Sequence, residues 1–456
     1  MRYIILLATA LAATLTATAQ TPDAIRQMIR RNANFAEPTV MPYENIERGE
    51  LSKAPRGYKP FYFTMTSRHG SRYEQHDEAF TSTMEIYDRA AKLGILTPQG
   101  EEIRQILNRA TADQVGKAGE LTALGQKQLR DIGRRAYKNF GEVFRSGALE
   151  GKSSVYLRCI FSMVAFIDGL KEKHPTLQAD IEARESNMKL MRPLMQHPNS
   201  PKYVSDYCRN NSNHGAWKKR SKAWADKQDI SSMLSKVVTR PERLVEECGA
   251  ASLFEFANDT HHLLLFAQNL GFDTQELLER TFTLDERYAF YIVKTLRWLH
   301  WTAGVGHPIV ETFASYIRPL AEDIIEKAQE AVDGTNPYVA NVRFTHDSFL
   351  APLLTVFGYK DLVPQYSDDW ERAATSVPFS TVIPMGANLQ MVLYRNKAGE
   401  VLVRSLMNEN DVYLPIDSPT APFYKWEDMK KLAYDNLAKL DATRERMLPE
   451  IRKNKN

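Results

Sequence analysis

Strand-like segments lie near both ends of this chain, and a long stretch with the helical period separates them. In 61–66, apolar residues alternate with polar or smaller ones, which is the pattern of a half-buried strand. The strand pattern returns at 340–345 and in a hairpin within 389–406. From about residue 165 to residue 333, apolar residues recur instead at helical spacing. This order predicts an α/β core interrupted by a mostly α-helical inserted domain.

The same patterns predict smaller elements and the domain boundaries. A second short strand is predicted over 153–158 (SSVYLR), and an apolar helix over 349–357 that ends at Gly358. The predicted division of the chain is 1–19, a signal peptide; 20–165, the first part of the α/β core; 166–334, the helical insertion; and 335–456, the second part of the core.

The composition is that of a folded protein, and it excludes several classes. Of the 456 residues, 43% are apolar and 25% are charged, which rules out a largely disordered chain. A net charge of +3 gives no reason to expect nucleic acid or an anionic membrane as a partner. Cys159, Cys208 and Cys248 lack the spacing of a zinc site and permit at most one disulfide, Cys208–Cys248.

The first residues have the order of a secretory signal peptide. Arg2 gives a positive start, residues 3–15 form an apolar run, and Ala17-Thr18-Ala19 supplies the small residues that a signal peptidase requires. We therefore expect cleavage after Ala19 and export to the periplasm, with a buried N-terminal helix as the alternative. The apolar run is too short for a comfortable membrane span, and no later stretch of the sequence is long enough for one.

The turn that follows the first predicted strand is the most specific feature of the sequence. The segment RHGSR at 68–72 comes directly after 61–66. In open α/β sheets, ligands bind at the carboxyl ends of strands. Arginine forks match phosphate oxygens and stay charged at any working pH. A histidine between two guanidiniums is pushed towards its neutral form, which is the form that can attack phosphorus.

Two further polar segments follow predicted strands. Arg158 ends the second predicted strand, and His346-Asp347 ends the third. If these strands are neighbours in one sheet, their ends gather a phosphate cradle, a nucleophile and a carboxyl acid, which is what metal-free phosphoryl transfer needs. The candidate site then consists of Arg68, His69, Arg72, Arg158, His346 and Asp347.

Each of these features has a simpler structural interpretation when it is taken alone. An isolated RHG is a weak motif, and its histidine can be an ordinary turn residue. Asp347 at a strand-to-helix junction is typical of a helix N-cap, and Arg158 alone is typical of a surface ion pair. Only their joint order, with each piece at a strand end, favours the catalytic interpretation.

At these residues the sequence resembles the histidine acid phosphatase family of the histidine phosphatase superfamily. This clade includes acid phosphatases, phytases and multiple inositol polyphosphate phosphatases. The matching pieces are RHGSR at 68–72, GELTALG at 119–125, LRCIFSMVAF at 157–166, FTHDSFLAPLL at 344–354 and the closing strands LQMVLY and VLVRSLMNE. The resemblance runs from about Lys59 to about Leu414. It implies a phosphoglycerate-mutase-like α/β core with a mostly α-helical inserted domain.

The resemblance also implies a role for each candidate residue. His69 would be the nucleophile that forms a phosphohistidine. Asp347 would protonate the leaving alcohol and then, as its conjugate base, activate the attacking water. The phosphoryl group would be bound by Arg68, Arg72, Arg158 and His346. An acidic pH optimum is expected, and the resemblance implies neither a metal nor a cofactor.

The sequence departs from the family's patterns near both motifs. Many phytases continue the first motif as RHGxRxPT, whereas this chain continues with Tyr-Glu-Gln-His at 73–76. Tyr73 resembles the inositol polyphosphate phosphatase branch, but that branch usually carries His-Ala-Glu where this chain has His346-Asp347. Glu74 would bring negative charge near a polyanion, which disfavours a phytate pocket unless its side chain points away.

Two other features favour structural roles. Only one side chain of His261-His262 can face the core from an apolar helix, and a satisfied core histidine is the better interpretation. The basic run Lys218–Lys222 is typical of a solvated helix face, and the alternative is a basic wall beside an anionic substrate.

The leading hypothesis is an exported phosphomonoester hydrolase that acts through a phosphohistidine on phytate, other inositol phosphates or other organic phosphate esters. Its partner would be a small-molecule phosphate ester, and its oligomeric state is left open. The alternatives are a phosphotransferase or mutase and a non-catalytic phosphate-binding module. The aspartate after His346 and the export signal favour hydrolysis, and the intact set of candidate residues argues against a binding module.

Overall fold

The computed structural model describes residues 21–192, 217–299 and 304–453. The predicted signal peptide and Cys208 of the permitted disulfide lie outside these residues. The helices are, in chain order, α1 (Pro22–Arg31), α2 (Glu78–Lys92), α3 (Pro98–Gln114), α4 (Ala123–Phe144), α5 (Leu157–Lys171), α6 (Met188–Met191), α7 (Trp217–Ala225), α8 (Ser231–Val237), α9 (Glu242–Glu246), α10 (Leu253–Ala267), α11 (Gln275–Thr281), α12 (Leu284–Leu299), α13 (Pro308–Ser315), α14 (Arg318–Asp333), α15 (Asp347–Phe357), α16 (Trp370–Thr375), α17 (Phe379–Val382) and α18 (Trp426–Lys453). The strands are β1 (Lys59–Arg68), β2 (Ala148–Ser153), β3 (Ala179–Glu182), β4 (Tyr338–Thr345), β5 (Asn388–Arg395), β6 (Val401–Met407), β7 (Asn410–Asp411) and β8 (Phe423–Lys425).

The strands form one mixed sheet in the order β3-β2-β4-β1-β5-β6-β7, with β8 paired to β6. The pairs β3–β2, β2–β4 and β4–β1 are parallel, whereas β5 runs antiparallel to β1 and continues into the hairpin with β6. Parallel neighbours need long crossovers, and here those crossovers are helical. The predicted α/β fold with its C-terminal hairpin is therefore confirmed.

The register brings three strand ends to the same edge of the sheet. Arg68 at the end of β1 is the partner of Thr345 at the end of β4, and Ser153 at the end of β2 is the partner of Phe344. The chain therefore leaves all three strands at the same edge of the sheet, which is the condition for their terminal residues to form one site.

The strand predicted over 153–158 is wrong in its bounds. β2 ends at Ser153, and α5 begins at Leu157, so Arg158 lies in the first turn of a helix and not at a strand end. Val155 and Tyr156 are β-branched and aromatic residues, which are common in strands, so the local sequence favoured a strand there. Pairing with β4 instead selects the segment ALEGKS, because strand formation depends more on the neighbouring strand than on local preference.

Two apolar clusters organise the described part of the molecule. The first surrounds the sheet and includes the buried faces of α4, α5, α14, α15 and α18. The second joins α2 and α3 to helices between α8 and α12. The segment 69–77 after β1 links the sheet, in the first cluster, to α2, in the second. Within the described ranges, none of the helices combines the length and apolarity that crossing a membrane requires.

Candidate active site

The Arg-His-Gly turn is held between β4 and the segment before β5. The backbone N–H of Arg68 donates to the carbonyl of Ala387 at 2.7 Å, and that of His69 donates to the carbonyl of Thr345 at 3.2 Å. The His69 carbonyl accepts from the N–H of Gly386 at 2.9 Å. The turn therefore continues the backbone pairing of the sheet on both sides, which fixes the position of the His69 ring.

The GELTALG segment at 119–125 packs against the same turn and donates a hydrogen bond to it. The Thr122 hydroxyl caps α4 by accepting from the Gly125 N–H, and it donates to the carbonyl of Ser71 at 3.0 Å. Gly70 and Gly125 lie in backbone contact, because a Cβ built on Gly70 would stand 2.4 Å from the Gly125 carbonyl oxygen. This close approach explains why both positions are glycine, because a Cβ at either one would collide with backbone atoms.

His69 is buried, and its ring is in a defined tautomeric state. Its Nδ1 atom lies 2.8 Å from the Gly70 carbonyl oxygen, which can only accept a hydrogen bond. Nδ1 therefore carries the proton, and the lone pair is on Nε2. Burial and then the nearby charges of Arg68 and Arg158 hold the pKa of His69 well below its usual value. The ring is thus neutral, as the sequence predicted.

Arg68 is the most enclosed of the candidate arginines, with 1% of its surface exposed. Its Nη1 donates to the carbonyls of Thr39 and Ile383 at 2.6 and 2.8 Å, and its Nη2 forms an ion pair with Asp347 at 2.7 Å. Burial lowers the pKa of Arg68 to about 10, although Asp347 opposes the shift. The side chain remains a cation at acid and neutral pH.

Arg72 and Arg158 approach the crevice from two other elements. Arg72 donates from Nη1 to the carbonyl of Tyr73 at 2.8 Å, and Arg158 donates to the carbonyl of Gly119 at 3.4 Å. The Nε atoms of Arg68, Arg72 and Arg158 are buried, and none has a hydrogen-bond partner among the described residues. A buried guanidinium N–H without an acceptor is costly, so three of them around one crevice indicate a site for an anion.

His346 and Asp347 stand at the junction between β4 and α15. The His346 and His69 ring centroids are 5.5 Å apart in an edge-on arrangement, and burial lowers the pKa of His346 well below its usual value. Asp347 is the first residue of α15, and His346 occupies the cap position. The Asp347 carboxylate accepts from the N–H of Ser348 at 2.8 Å and pairs with Arg68, so the simple N-cap alternative is wrong.

One cation and one aromatic ring at this site were not predicted from the sequence. Arg192 follows α6, and its guanidinium lies 4.9 Å from the centroid of the Tyr156 ring and donates to the Tyr156 hydroxyl. Arg158 lies 4.8 Å from the same ring, so Tyr156 is in contact with two guanidiniums. Arg192 also helps to lower the pKa of His346, after burial and Arg158. No motif marks this residue in the sequence.

Comparison with known proteins agrees with this geometry. Residues 63–408 match the family model described as histidine phosphatase superfamily (branch 2), which is more than half of the chain. The chain belongs to branch 2 of the histidine phosphatase superfamily. The predictions of this family and of a histidine-type acid phosphatase are therefore confirmed. No curated protein matches the sequence.

Solved structures show the same fold. The multiple inositol polyphosphate phosphatase of Bifidobacterium longum in complex with inositol hexasulfate has a TM-score of 0.68 and 20% identity, covering 88% of this chain and 98% of that one. The phytase of D. castellii has a TM-score of 0.63 and 16% identity, covering 91% and 85%. The apo form of the Hafnia alvei phytase has a TM-score of 0.51 and 14% identity, covering 84% and 98%.

The paired histidines of α10 occupy two different environments in this histidine phosphatase. His261 is fully buried, with its ring centroid 5.1 Å from those of Phe282 and Phe290. The prediction of a buried core histidine is thus confirmed for His261, but the prediction that it is satisfied is wrong, because neither ring nitrogen has a hydrogen-bond partner among the described residues. The prediction that only one of the two faces the core is confirmed, because His262 keeps 25% of its side chain exposed and lies between the carboxylates of Glu37 and Glu74, at 3.4 and 3.7 Å.

The basic run forms part of α7. Lys218, Lys219 and Lys222 are exposed, as expected of a solvated helix face, and Lys222 pairs with Asp226 one turn later. Arg220 turns towards the protein and donates to the Tyr366 hydroxyl at 2.5 Å.

Proposed function

We propose that this histidine phosphatase is an exported phosphomonoester hydrolase that acts through a phosphohistidine on phytate and related inositol phosphates. The observation that carries the proposal is the neutral, Nδ1-protonated His69 beside three arginines whose buried Nε–H groups lack acceptors among the described residues. A phosphoryl group bound there would satisfy those donors and present phosphorus to Nε2.

In the first step, the Nε2 lone pair of His69 attacks phosphorus, and the bond from phosphorus to the ester oxygen breaks. Asp347 donates its proton to the leaving oxygen, so an alcohol departs. The guanidiniums of Arg68, Arg72 and Arg158 neutralise the charge on the non-bridging oxygens in the transition state. The Gly70 carbonyl stabilises the positive charge that develops on the ring, because it accepts from Nδ1.

In the second step, water attacks the phosphohistidine. The Asp347 carboxylate takes a proton from the water, the bond between nitrogen and phosphorus breaks, and inorganic phosphate leaves. The electron pair returns to Nε2, so His69 is neutral again. The low pKa of His69, which arises from burial and nearby cations, favours this neutral product state.

The charge around Glu74 supports a polyanionic substrate. The Glu74 carboxylate lies 3.5 Å from Arg72 and 3.7 Å from His262, so it is flanked by cations and turned towards the protein. Arg72 and His262 therefore neutralise the negative charge of Glu74, which was the sequence's argument against a phytate pocket. Arg192 adds a further cation beside Tyr156. The structural neighbours include phytases and an inositol polyphosphate phosphatase complexed with inositol hexasulfate, which supports the same substrate class.

Export rests on the N-terminal sequence. Arg2, the apolar run 3–15 and the small residues ending at Ala19 have the order of a cleavable signal peptide. An enzyme outside the cytoplasm would release phosphate from esters in the surroundings of the cell.

Phosphate release by the purified mature protein tests this proposal. Phytate and a simple aryl phosphate would be assayed at acid pH with excess chelator, using His69→Ala as the inactive variant and His174→Ala as a control at a histidine beside Tyr137, outside the site. We expect chelator-resistant release from phytate that His69→Ala abolishes and His174→Ala retains. Release from neither substrate by folded protein would contradict the proposal, and release from the aryl ester alone would contradict the substrate class.

A further inference from the structure

The Arg72 side chain forms an ion pair with Glu74, which lies two residues later in the same turn. Arg72 and Glu74 both follow β1, and the Nη1 of Arg72 lies 3.5 Å from the Oε1 of Glu74. The same Glu74 oxygen accepts from the N–H of Gln75 at 2.7 Å, which fixes its orientation. Both side chains are largely buried, at 7% and 14% exposure, so water screens this contact weakly.

The contact continues into the helical part of the molecule as a row of alternating charges. The Oε2 of Glu74 lies 3.7 Å from the Nε2 of His262 on α10, and the Nδ1 of His262 lies 3.4 Å from the Oε2 of Glu37. Glu37 is also ion-paired with Lys294 of α12. Glu37 belongs to the N-terminal segment, so three parts of the chain that are distant in sequence meet behind Arg72.

We propose that Glu74, His262 and Glu37 form a positioning relay, which orients the Arg72 guanidinium towards the bound phosphoryl group. This inference rests on the proposed function, because it assigns Arg72 to phosphate binding. Arg72 is the binding residue, and the three relay residues act through it. His262 acts as a cation wedged between two carboxylates, so that each carboxylate has a cation on both sides.

The electrostatic environment keeps the relay charged at the acid pH of the proposed reaction. Burial raises the pKa of Glu37, but Lys294 and His262 outweigh it and hold that pKa at about 2. The pKa of Glu74 is likewise lowered, because His262 and Arg72 outweigh burial. Burial opposes protonation of His262, yet Glu37 and Glu74 raise its pKa to about 9.

Other groups that face His262 do not reverse this balance. Lys294 of α12 disfavours the His262 cation, whereas Asp259 of α10 carries a carboxyl that interacts with His262 favourably. His261 on the same helix is neutral, because burial lowers its pKa. The relay therefore stays charged from acid pH up to the titration of His262.

The first test is a double-mutant cycle read by the affinity for inorganic phosphate. The variants are Glu74→Gln, Arg72→Ala and the double variant, and Glu78→Gln on the exposed start of α2 is the matched control. We expect Glu74→Gln to raise the Kd for phosphate about tenfold in the wild-type background and to have almost no effect when Arg72 is already alanine. An equal effect in both backgrounds, or none in either, would overturn the relay. If Glu74→Gln does not fold, His262→Gln replaces it in the same cycle.

The second test uses pH, because a merely structural role for His262 would not change a titration. Between about pH 8 and about pH 10, inorganic phosphate keeps one charge state, so changes in its Kd report on the protein. We expect phosphate affinity in the wild type to fall over this range as His262 loses its proton. The His262→Gln variant should be weaker already and should keep only the fall near pH 10 that Arg68, with a pKa of about 10, contributes to both proteins. His174→Gln is the control. An unchanged step in His262→Gln would overturn the relay.

These outcomes separate the relay from the proposed function. If the wild-type protein neither binds phosphate nor hydrolyses an aryl phosphate, the proposed function is contradicted, and so is the relay. If the wild-type protein does both and the effects in the double-mutant cycle are additive, only the relay is contradicted and the proposed function stands.

Discussion

The Oδ2 atom of Asp347 lies 2.7 Å from the Nη2 atom of Arg68, so the proposed proton donor is paired with a proposed phosphate ligand. The two residues are near neighbours because β1 and β4 are parallel and in register at Arg68 and Thr345. A phosphate group that binds Arg68 competes with this carboxylate. Substrate binding and the availability of Asp347 for proton transfer are therefore coupled through one guanidinium.

Replacing Asp347 by asparagine should slow hydrolysis in a way that depends on the leaving group. Asparagine keeps the size of the side chain but cannot donate a proton to the leaving oxygen or accept one from water. We expect kcat for an alkyl phosphate to fall about 10²- to 10⁴-fold. An aryl phosphate, whose leaving group needs less protonation, should lose less in its first step, as single-turnover kinetics would show. Equal losses in that step for both esters would contradict the acid role.

Replacing Arg192 by methionine should affect a polyphosphate more than a simple ester. Arg192 lies beside the rings of Tyr156 and Phe349, and we expect it to meet a phosphate of the substrate other than the reacting one. We expect KM for phytate to rise about tenfold or more, because a charged hydrogen bond is worth about 1.5–3 kcal/mol, while KM for an aryl phosphate changes less. The ratio of the two KM values is the measurement, and an unchanged ratio would refute this role.

Acid should destabilise the fold partly through His261. Burial holds the pKa of His261 well below 6.5 in the folded protein, whereas the unfolded chain has the usual value. Below pH 6.5 the unfolded state therefore binds a proton that the folded state does not, and stability falls as pH falls towards the folded pKa.

We expect His261→Leu to reduce this loss by up to about 1.4 kcal/mol per pH unit in that window. The free energy of unfolding from denaturant titrations at several pH values measures the slope. The same substitution at the partly exposed His174 is the control. A slope that His261→Leu leaves unchanged would show that His261 does not stay neutral in the fold.

Two glycines of α4 should respond differently to alanine. A Cβ on Gly125 would stand 2.1 Å from the Ser71 carbonyl oxygen, which is backbone of the turn after β1 and has little room to move. A Cβ on Gly141 would meet only side chains, the flexible end of Arg145 at 3.1 Å and the edge of the Tyr137 ring at 3.4 Å. We expect Gly125→Ala to cost about 1–3 kcal/mol or more and to reduce kcat, and Gly141→Ala to be nearly neutral. Thermal unfolding and steady-state kinetics compare them, and similar effects would contradict the packing argument.

The sequence predicted those parts of the site that are encoded by a strand end. Arg68 and His69 follow an alternating apolar strand, and His346 and Asp347 follow another, so their meeting required only that the two strands be parallel neighbours. Arg158 was placed in the site for a partly wrong reason. It reaches the crevice from the first turn of α5, because the chain turns between Ser153 and Leu157.

Long-range contacts explain what the sequence did not predict. Glu37 and Thr39 lie outside the segment that resembles the family, yet Thr39 accepts from Arg68 and Glu37 faces His262. His262 looked like a neighbour of a core histidine because a helical pattern shows only which face is apolar. Charged groups from other elements meet the adjacent, partly exposed face and form an ionic cluster with His262. The periodicity of α10 contains no information about those partners.

Trapping a covalent intermediate is the decisive test of phosphohistidine catalysis in this protein. The protein, and Asp347→Asn in parallel, would be mixed with an aryl phosphate and quenched within milliseconds in alkaline denaturant, where a bond between phosphorus and histidine survives. Mass spectrometry of the digested protein would then locate the added phosphate. We expect phosphate on His69, accumulating further in Asp347→Asn because the attacking water lacks its base. Turnover with no phosphate on His69 in either protein would contradict phosphohistidine catalysis.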